Sequence, residues 1–350
     1  MPTGGEGRTI GASRAGVSNE HGIEDRAPAP AARERFEQFA SLLLRHGPGH
    51  ALLRTAWRAW RPWRARWLRA RRTARPIGPG ANRAGALPTP TPSRESARTR
   101  VIVPTRGRSD YVRRCVRSIE RTCRPDTTHL VVVDTGARSP AHRRRLEELT
   151  RRHSLVRWRR PFHFARLNNW AARGGDEPLL LFLNDDTEAL EPGWLERMAQ
   201  TALRPDVGVV GAVLLYPDRT LQHAGIALGH DPPTYHRWLG VDEARWQQSL
   251  PSSEPFDVAA VTGAALMCRR EVFEAVGGFC PRFSLFYNDV DLCLRVRLRL
   301  GLRCVVDPRV RLVHHESRSR GRYHRPEEES LFVQRWGGRL RWVEPEGGPR

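Results

Sequence analysis

The chain has 350 residues, 39% of them hydrophobic, and a formal net charge of +21 carried by 59 basic side chains, every one an arginine. This length allows one large domain or two smaller ones. No apolar run approaches the ~18 residues of a membrane span, and the N-terminus has no apolar signal core, so a spanning or secreted protein is not expected. The excess charge suits anionic partners such as nucleotide phosphates, acidic lipid or nucleic acid. Six cysteines (115, 123, 268, 280, 293 and 304) form no CxxC pair and no metal-ligand cluster, which fits reduced thiols in a cytoplasmic protein.

Residues 1–35 are rich in Gly, Ala, Pro and charge, the composition of a disordered segment. In 36–75, apolar Phe36, Phe39, Leu42 and Leu43 lead to Trp57, Trp60, Trp63 and Trp67, with nine arginines and no acid between 51 and 75. At helical spacing the four tryptophans share about a third of the circumference. Pro62 divides the stretch into two short helices. Arginines interleave this apolar face too densely for a dry core, so an anionic membrane surface is the expected contact, at the inner face of the cell membrane. An extra helical layer on the next domain is the second reading. Nucleic acid comes third, since the composition matches but no recognition motif accompanies the charge. The Pro-rich 76–98 is a linker.

From residue 99 to 335 an α/β alternation is expected. Strands are predicted at 100–104, 130–134, 155–158, 179–183 and 207–213. Helices are predicted at 110–121, at 139–152 with Ser139 as N-cap, around 164–173 and at 192–203. Such alternation gives a mainly parallel sheet with helices on both faces. Beyond it come a small-residue strand at 261–267, a short helix stopped by Gly277 and Gly278, a further helix from about 286, and a tail at 336–350.

Several strand ends carry chemistry. The run 179–183 ends in Asn184-Asp185-Asp186-Thr187, where adjacent carboxylates call for a compensating cation or donors, or else cap the next segment. The first strand ends in Pro104-Thr105-Arg106-Gly107-Arg108, a turn able to hold phosphate with backbone donors and guanidinium forks. GxGxxG and the P-loop pattern are absent, which argues against a dinucleotide fold and a P-loop enzyme. Asp134 can accept from a ribose hydroxyl or base N–H, or simply form a turn before Thr135-Gly136. Asp289 and Asp291 lie in a first helical turn, either as caps or with Asp289 as a general base. The pair His314-His315 beside Glu316 is suited to metal or phosphate contact.

Together the segments VIVPTRGR, VVVDTG, FARLNN, LLFLNDDTE, GAVLLYPDRTLQHAG, TGAALMCRREVFEAVGGF, FYNDVDLCLR and HHESRSRG resemble, in content and order, the inverting family 2 glycosyltransferases of the GT-A fold, particularly the bacterial rhamnosyltransferase-like branch that builds surface polysaccharide. The resemblance covers roughly 99–335. It implies a nucleotide-sugar donor and a saccharide or lipid-linked acceptor. It places Pro104, Thr105, Arg106, Asp134, Asn169, Asp185, Thr262 and Gly263 around the donor. A divalent metal, Mg²⁺ or Mn²⁺, would be held by Asp186 with His314 or His315, and Asp289 would be the catalytic base. Two positions depart from the family pattern: Asn184 replaces the first Asp of Asp-x-Asp, and Asn288 replaces the frequent Glu before the base. Neither removes a group the mechanism requires. The alternatives are a sugar-nucleotide nucleotidyltransferase, which should carry a Gly-rich triphosphate loop at the first strand, and a non-enzymatic basic adaptor that would need only 36–75.

Overall fold

The computed structural model describes residues 98–106, 109–136, 139–229, 233–315 and 325–337. The segments expected at 1–35 and 36–75, the linker apart from Arg98, and the tail beyond 337 lie outside these residues.

Strand β1 (Thr99–Thr105) leads to helix α1 (Ser109–Thr122), β2 (Thr128–Asp134), α2 (Pro140–Leu149), β3 (Ser154–Arg157), α3 (Phe164–Ala172) and β4 (Leu179–Leu183). There follow β5 (Thr187–Ala189), α4 (Trp194–Ala202), β6 (Val207–Leu215), β7 (Leu221–His223), β8 (Ile226–Leu228), β9 (Thr234–His236), α5 (Glu243–Gln248) and β10 (Phe256–Asp257). The chain continues through β11 (Ala265–Arg269), α6 (Arg270–Ala275), α7 (Asn288–Arg295) with a π-helical turn at Val296–Leu300, β12 (Arg303–His314) and α8 (Pro326–Trp336). Ser139 caps α2 as expected, its hydroxyl accepting from the His142 N–H at 3.2 Å. The helix predicted at 192–203 begins only at Trp194, because Gly193 sits at φ 79°.

The main sheet runs β10-β12-β6-β11-β4-β1-β2-β3, with β5 and β7 attached at the ends of β12 and β6. Pairings β4-β1-β2-β3 and β12-β6 are parallel, and β11 lies antiparallel between β4 and β6. The period-two geometry of a strand sorts the apolar residues into two cores. Val101, Val103, Leu179 and Leu181 face Val116, Ile119 and Trp194 on one side of the sheet. Ile102, Leu180 and Phe182 face Phe164, Leu167, Phe273 and Phe279 on the other. All five residues of β4 are buried, which explains an uninterrupted apolar run. The strand expected at 261–267 starts later: 262–264 form a turn and pairing begins at Ala265.

Candidate active site

The carboxyl ends of β1, β2 and β4 lie side by side, so polar residues far apart in sequence converge where an open α/β sheet binds ligands. Thr105 ends β1 in register with Asp134, the last residue of β2. The Thr105 hydroxyl donates to Asp185 Oδ2 at 2.6 Å, linking β1 to the β4 end. Asp134 accepts from the Gly136 N–H at 2.9 Å, and its other oxygen lies 3.9 Å from Arg157 Nε. The turn reading and an anchoring reading of Asp134 therefore coexist. Pro104 remains within β1, half-buried, and the Arg106 guanidinium lies over the Phe162 ring at 5.3 Å.

Beyond Asp186, β5 pairs antiparallel with the end of β12, setting Thr187 opposite His314. This zipper brings His314 Nε2 to 2.9 Å from Asp186 Oδ1 and 3.2 Å from Asn184 Nδ2. His314 Nδ1 meets Gln222 Oε1. An amide oxygen only accepts, so Nδ1 is the donor in that pair, and Nε2 is the ring atom that faces Asp186 and Asn184. His315 turns away, its Nε2 3.2 Å from Glu188 and its ring 5.3 Å from that of Tyr111. Its backbone N–H still donates to the Asp186 carbonyl at 2.9 Å. The two histidines thus have separate surroundings, with His314 on the Asp186 side.

These groups fit a hard divalent ion. Asp186 supplies a carboxylate oxygen and His314 an imidazole nitrogen 2.9 Å apart, donor types that divalent ions take. The contact from Gln222 is the kind that orients a ligating imidazole. Among the described residues no group of three or more His, Cys, Asp or Glu side chains forms a metal cage. A cation at this place would therefore take its remaining ligands from diphosphate oxygens and water, the usual mode for Mg²⁺.

Asp289 lies in the first turn of α7. Its Oδ2 accepts from the Gly263 N–H at 2.7 Å and its Oδ1 from the Val290 N–H at 2.8 Å. Backbone donors thus fix the carboxylate's direction. A Cβ on Gly263 would lie 3.2 Å from Phe164 and 3.5 Å from Asp289 Cβ, so a small residue suits this approach. The Thr262 hydroxyl accepts from the Ala264 N–H at 3.3 Å, tightening the same turn. Asn288 closes its own turn by donating to the Leu285 carbonyl at 2.8 Å. Asp291 is fully buried and ion-paired with Arg295 at 2.8 Å and Arg335 at 3.1 Å, which makes it a packing residue. Asn169, expected at the donor, engages the Phe279 backbone through both amide atoms at 2.8 Å, a clamp between α3 and the loop after Gly278.

Two site residues escape the sequence reading. Gln222 orients His314, and fully buried His223 accepts from the Gly225 N–H at 3.2 Å and the Thr262 N–H at 3.4 Å through Nε2. With Nε2 accepting, the His223 proton sits on Nδ1, which meets His236 Nδ1 at 2.9 Å. Burial, then the neighbouring His236 and His314, hold its pKa well below the ordinary histidine value. The available signal was a polar Gln-His pair flanked by apolar Leu221 and Ala224.

Residues 100–277 match the family described as "Glycosyl transferase family 2". The chain is 35% identical over 266 residues to the O-antigen biosynthesis protein RfbC of Myxococcus xanthus, covering 74% of this chain and 20% of that protein. It is 28% identical over 176 residues to an N-acetylglucosaminyl-diphospho-decaprenol L-rhamnosyltransferase of Mycobacterium tuberculosis, covering 45% of this chain and 54% of that one. The chain therefore spans between a fifth and about half of the length of these relatives. Its fold is similar to that of GalNAc-T7, solved with UDP, GalNAc and Mn²⁺, at a TM-score of 0.56 and 13% identity, covering 69% of this chain and 49% of that one. The family match and the mixed, mostly parallel sheet agree, and the chain belongs to glycosyl transferase family 2, with the GT-A fold.

Proposed function

We propose that this chain transfers a sugar, with inversion, from a nucleotide-sugar donor to a hydroxyl of a saccharide or lipid-linked acceptor during the building of cell-surface polysaccharide. The observation that supports the reading is a chain of contacts at the strand ends: Thr105 to Asp185, Asp186 to His314, the Asn184 N–H to the Ala264 carbonyl, and the neighbouring Gly263 N–H to Asp289. The names of the relatives, an O-antigen biosynthesis protein and a rhamnosyltransferase, support the polysaccharide setting.

In this reading Thr105, Arg106, Asp134 and Asp185 bind the nucleotide, and the Thr262-Gly263 turn borders the sugar. Asp289, aimed by two backbone donors, accepts the acceptor's hydroxyl proton as that oxygen bonds to the anomeric carbon. The nucleoside diphosphate leaves from the opposite face, so a single displacement inverts the centre and no enzyme nucleophile is required. Asp186 and His314 would hold a divalent cation, which supplies neutralisation of charge on the leaving diphosphate. The Trp/Arg segment 36–75 would bring the protein to an anionic membrane surface, where a lipid-linked acceptor resides. Family membership favours this reading over the nucleotidyltransferase and adaptor alternatives.

Incubation with a panel of nucleotide sugars and an acceptor extract, reading released nucleoside diphosphate and the anomeric configuration of the product, tests the proposal. One donor should be consumed with inversion. A retained configuration, or consumption of nucleoside triphosphate in place of nucleotide sugar, would overturn it.

A further inference from the structure

A groove outside the carboxylate cluster has its own chemistry. A cavity of about 510 Å³ lies between the end of β3 and the outer face of α3, and it shares Arg157, Trp158 and Arg159 with a second cavity that reaches Asp134. Arg166, Asn169 and Trp170 of α3 and Arg173, its C-cap, follow one another at helical spacing and line the larger space. Trp170 is 42% exposed, an unusual position for a large aromatic. Its ring lies 5.6 Å from that of Trp158, over which Arg160 is placed at 5.9 Å. The lining holds five arginines and no acid. Arg157 is engaged by Glu147, whereas Arg159, Arg160, Arg166 and Arg173 have no carboxylate within ion-pair distance among the described residues.

Clustered guanidinium groups without acids repel one another, and an anion relieves that cost. The exposed indole of Trp170, with half-buried Trp158 beside it, presents a face on which the C–H side of a sugar ring can stack. We infer that this groove binds an anionic saccharide, a sugar ring over Trp158 and Trp170 with its carboxylate or phosphate held by Arg159, Arg166 and Arg173. The volume, within the usual range for ligand pockets, admits a short oligosaccharide. The groove adjoins the Asp134 pocket, so a glycan seated there lies beside the nucleotide position. The inference rests on the glycosyltransferase reading in taking the ligand to be the growing acceptor. The same surface chemistry would suit single-stranded nucleic acid, but membership of a sugar-transferring family favours the glycan.

Isothermal titration of the full chain decides this with four probes: a uronic-acid trisaccharide, a saccharide 1-phosphate, a neutral trisaccharide, and a ten-nucleotide single strand. Nucleoside diphosphate is titrated in parallel. Either anionic saccharide should bind at least about tenfold more tightly than the neutral one, and higher salt should weaken binding; which of the two binds identifies carboxylate or phosphate as the charged group. Trp170→Ala and Arg173→Gln, both at exposed positions, should each weaken that binding by about tenfold, the scale of losing an aromatic or arginine anchor. Unchanged thermal melting shows that the variants are folded. Equal binding of the neutral glycan, tighter binding of the oligonucleotide, or glycan affinity indifferent to both variants would each overturn the inference. Nucleoside diphosphate binding without any glycan binding sinks the groove alone, and failure of both sinks the glycosyltransferase reading with it.

Discussion

Asp289 meets two backbone N–H groups, one from its own helix start and one from Gly263, so the carboxylate's direction is set by main chain rather than by mobile side chains. Asp289→Asn keeps the shape and removes the basicity. Donor affinity should stay near normal while turnover falls by roughly two to four orders of magnitude, the scale of a general base; lost donor affinity at unchanged turnover would move the residue into the binding shell. Asp186 lies just past β4, with its carboxylate against His314 and its carbonyl held by the His315 N–H. Asp186→Ala should keep the fold and abolish turnover that depends on divalent metal, in the same way as excess chelator does in the wild type. Normal transfer by the variant, or by wild type in chelator, would end the metal assignment. Both acids are legible in the sequence from their places after an apolar run and at a helix start. The choice between His314 and His315 is not, because adjacent residues at a strand end diverge and only the β5–β12 register aims one of them at Asp186.

At the level of elements, two packings deserve direct measurement. Gly211 pairs with Leu266 of β11 and Val306 of β12, and a Cβ there would meet Val261 at 2.6 Å. Gly211→Ala should therefore destabilise the fold by about 1–3 kcal/mol, the cost of an overpacked core, read as a lowered denaturation midpoint; an unchanged midpoint would refute the close packing. Helix α8 docks through Glu328, which accepts from the Ser284 hydroxyl and from the N–H groups of Ser284, Leu285 and Phe286. Burial opposes its charge, but these hydrogen bonds outweigh burial and hold the carboxyl below its ordinary range. A depressed folded pKa stabilises the protein above the unfolded carboxylate value, about 4.3, and that contribution is lost as pH falls through the folded value. The stability gap between wild type and Glu328→Gln should accordingly narrow on acidification below about pH 4.3. A gap that is flat with pH would show that Glu328 does not titrate differently in the two states.

For the whole molecule, the proposed function gives separate tasks to the Trp/Arg-rich 36–75 and to the domain beyond position 99. Among the described residues no helix is long and apolar enough to cross a membrane. The proposed function gives membrane attachment to 36–75, where each arginine near an anionic surface would contribute on the order of 1 kcal/mol and the tryptophans would add apolar anchoring. Replacing Trp57, Trp60, Trp63 and Trp67 by Ala should release the protein from liposomes containing acidic lipid, and high salt should weaken wild-type binding. Donor hydrolysis in solution should survive, since every proposed catalytic residue lies beyond position 99. Persisting liposome affinity with lost donor binding would assign this segment to the catalytic domain's core.

Sequence alone determined the element order from β1 to β6 apart from the short β5, because period-two and helical apolar patterns are local consequences of backbone geometry, and Ser139, Gly277 and Gly278 mark boundaries by their own conformational preferences. It also determined the acids, whose positions after Leu183 and Tyr287 follow from where strand and helix meet. Tertiary structure alone decided the antiparallel insertion of β11 between two parallel blocks, since strand order depends on contacts between segments distant in the chain. It decided that Asn169 clamps Phe279 and that Gln222 and His223 serve the His314 and Thr262 sides of the site, because a short polar pair gains its partners only from long-range pairing. It likewise gathered arginines from β3 and α3 around one groove, although their spacing along the chain alone reads as ordinary solvated charge.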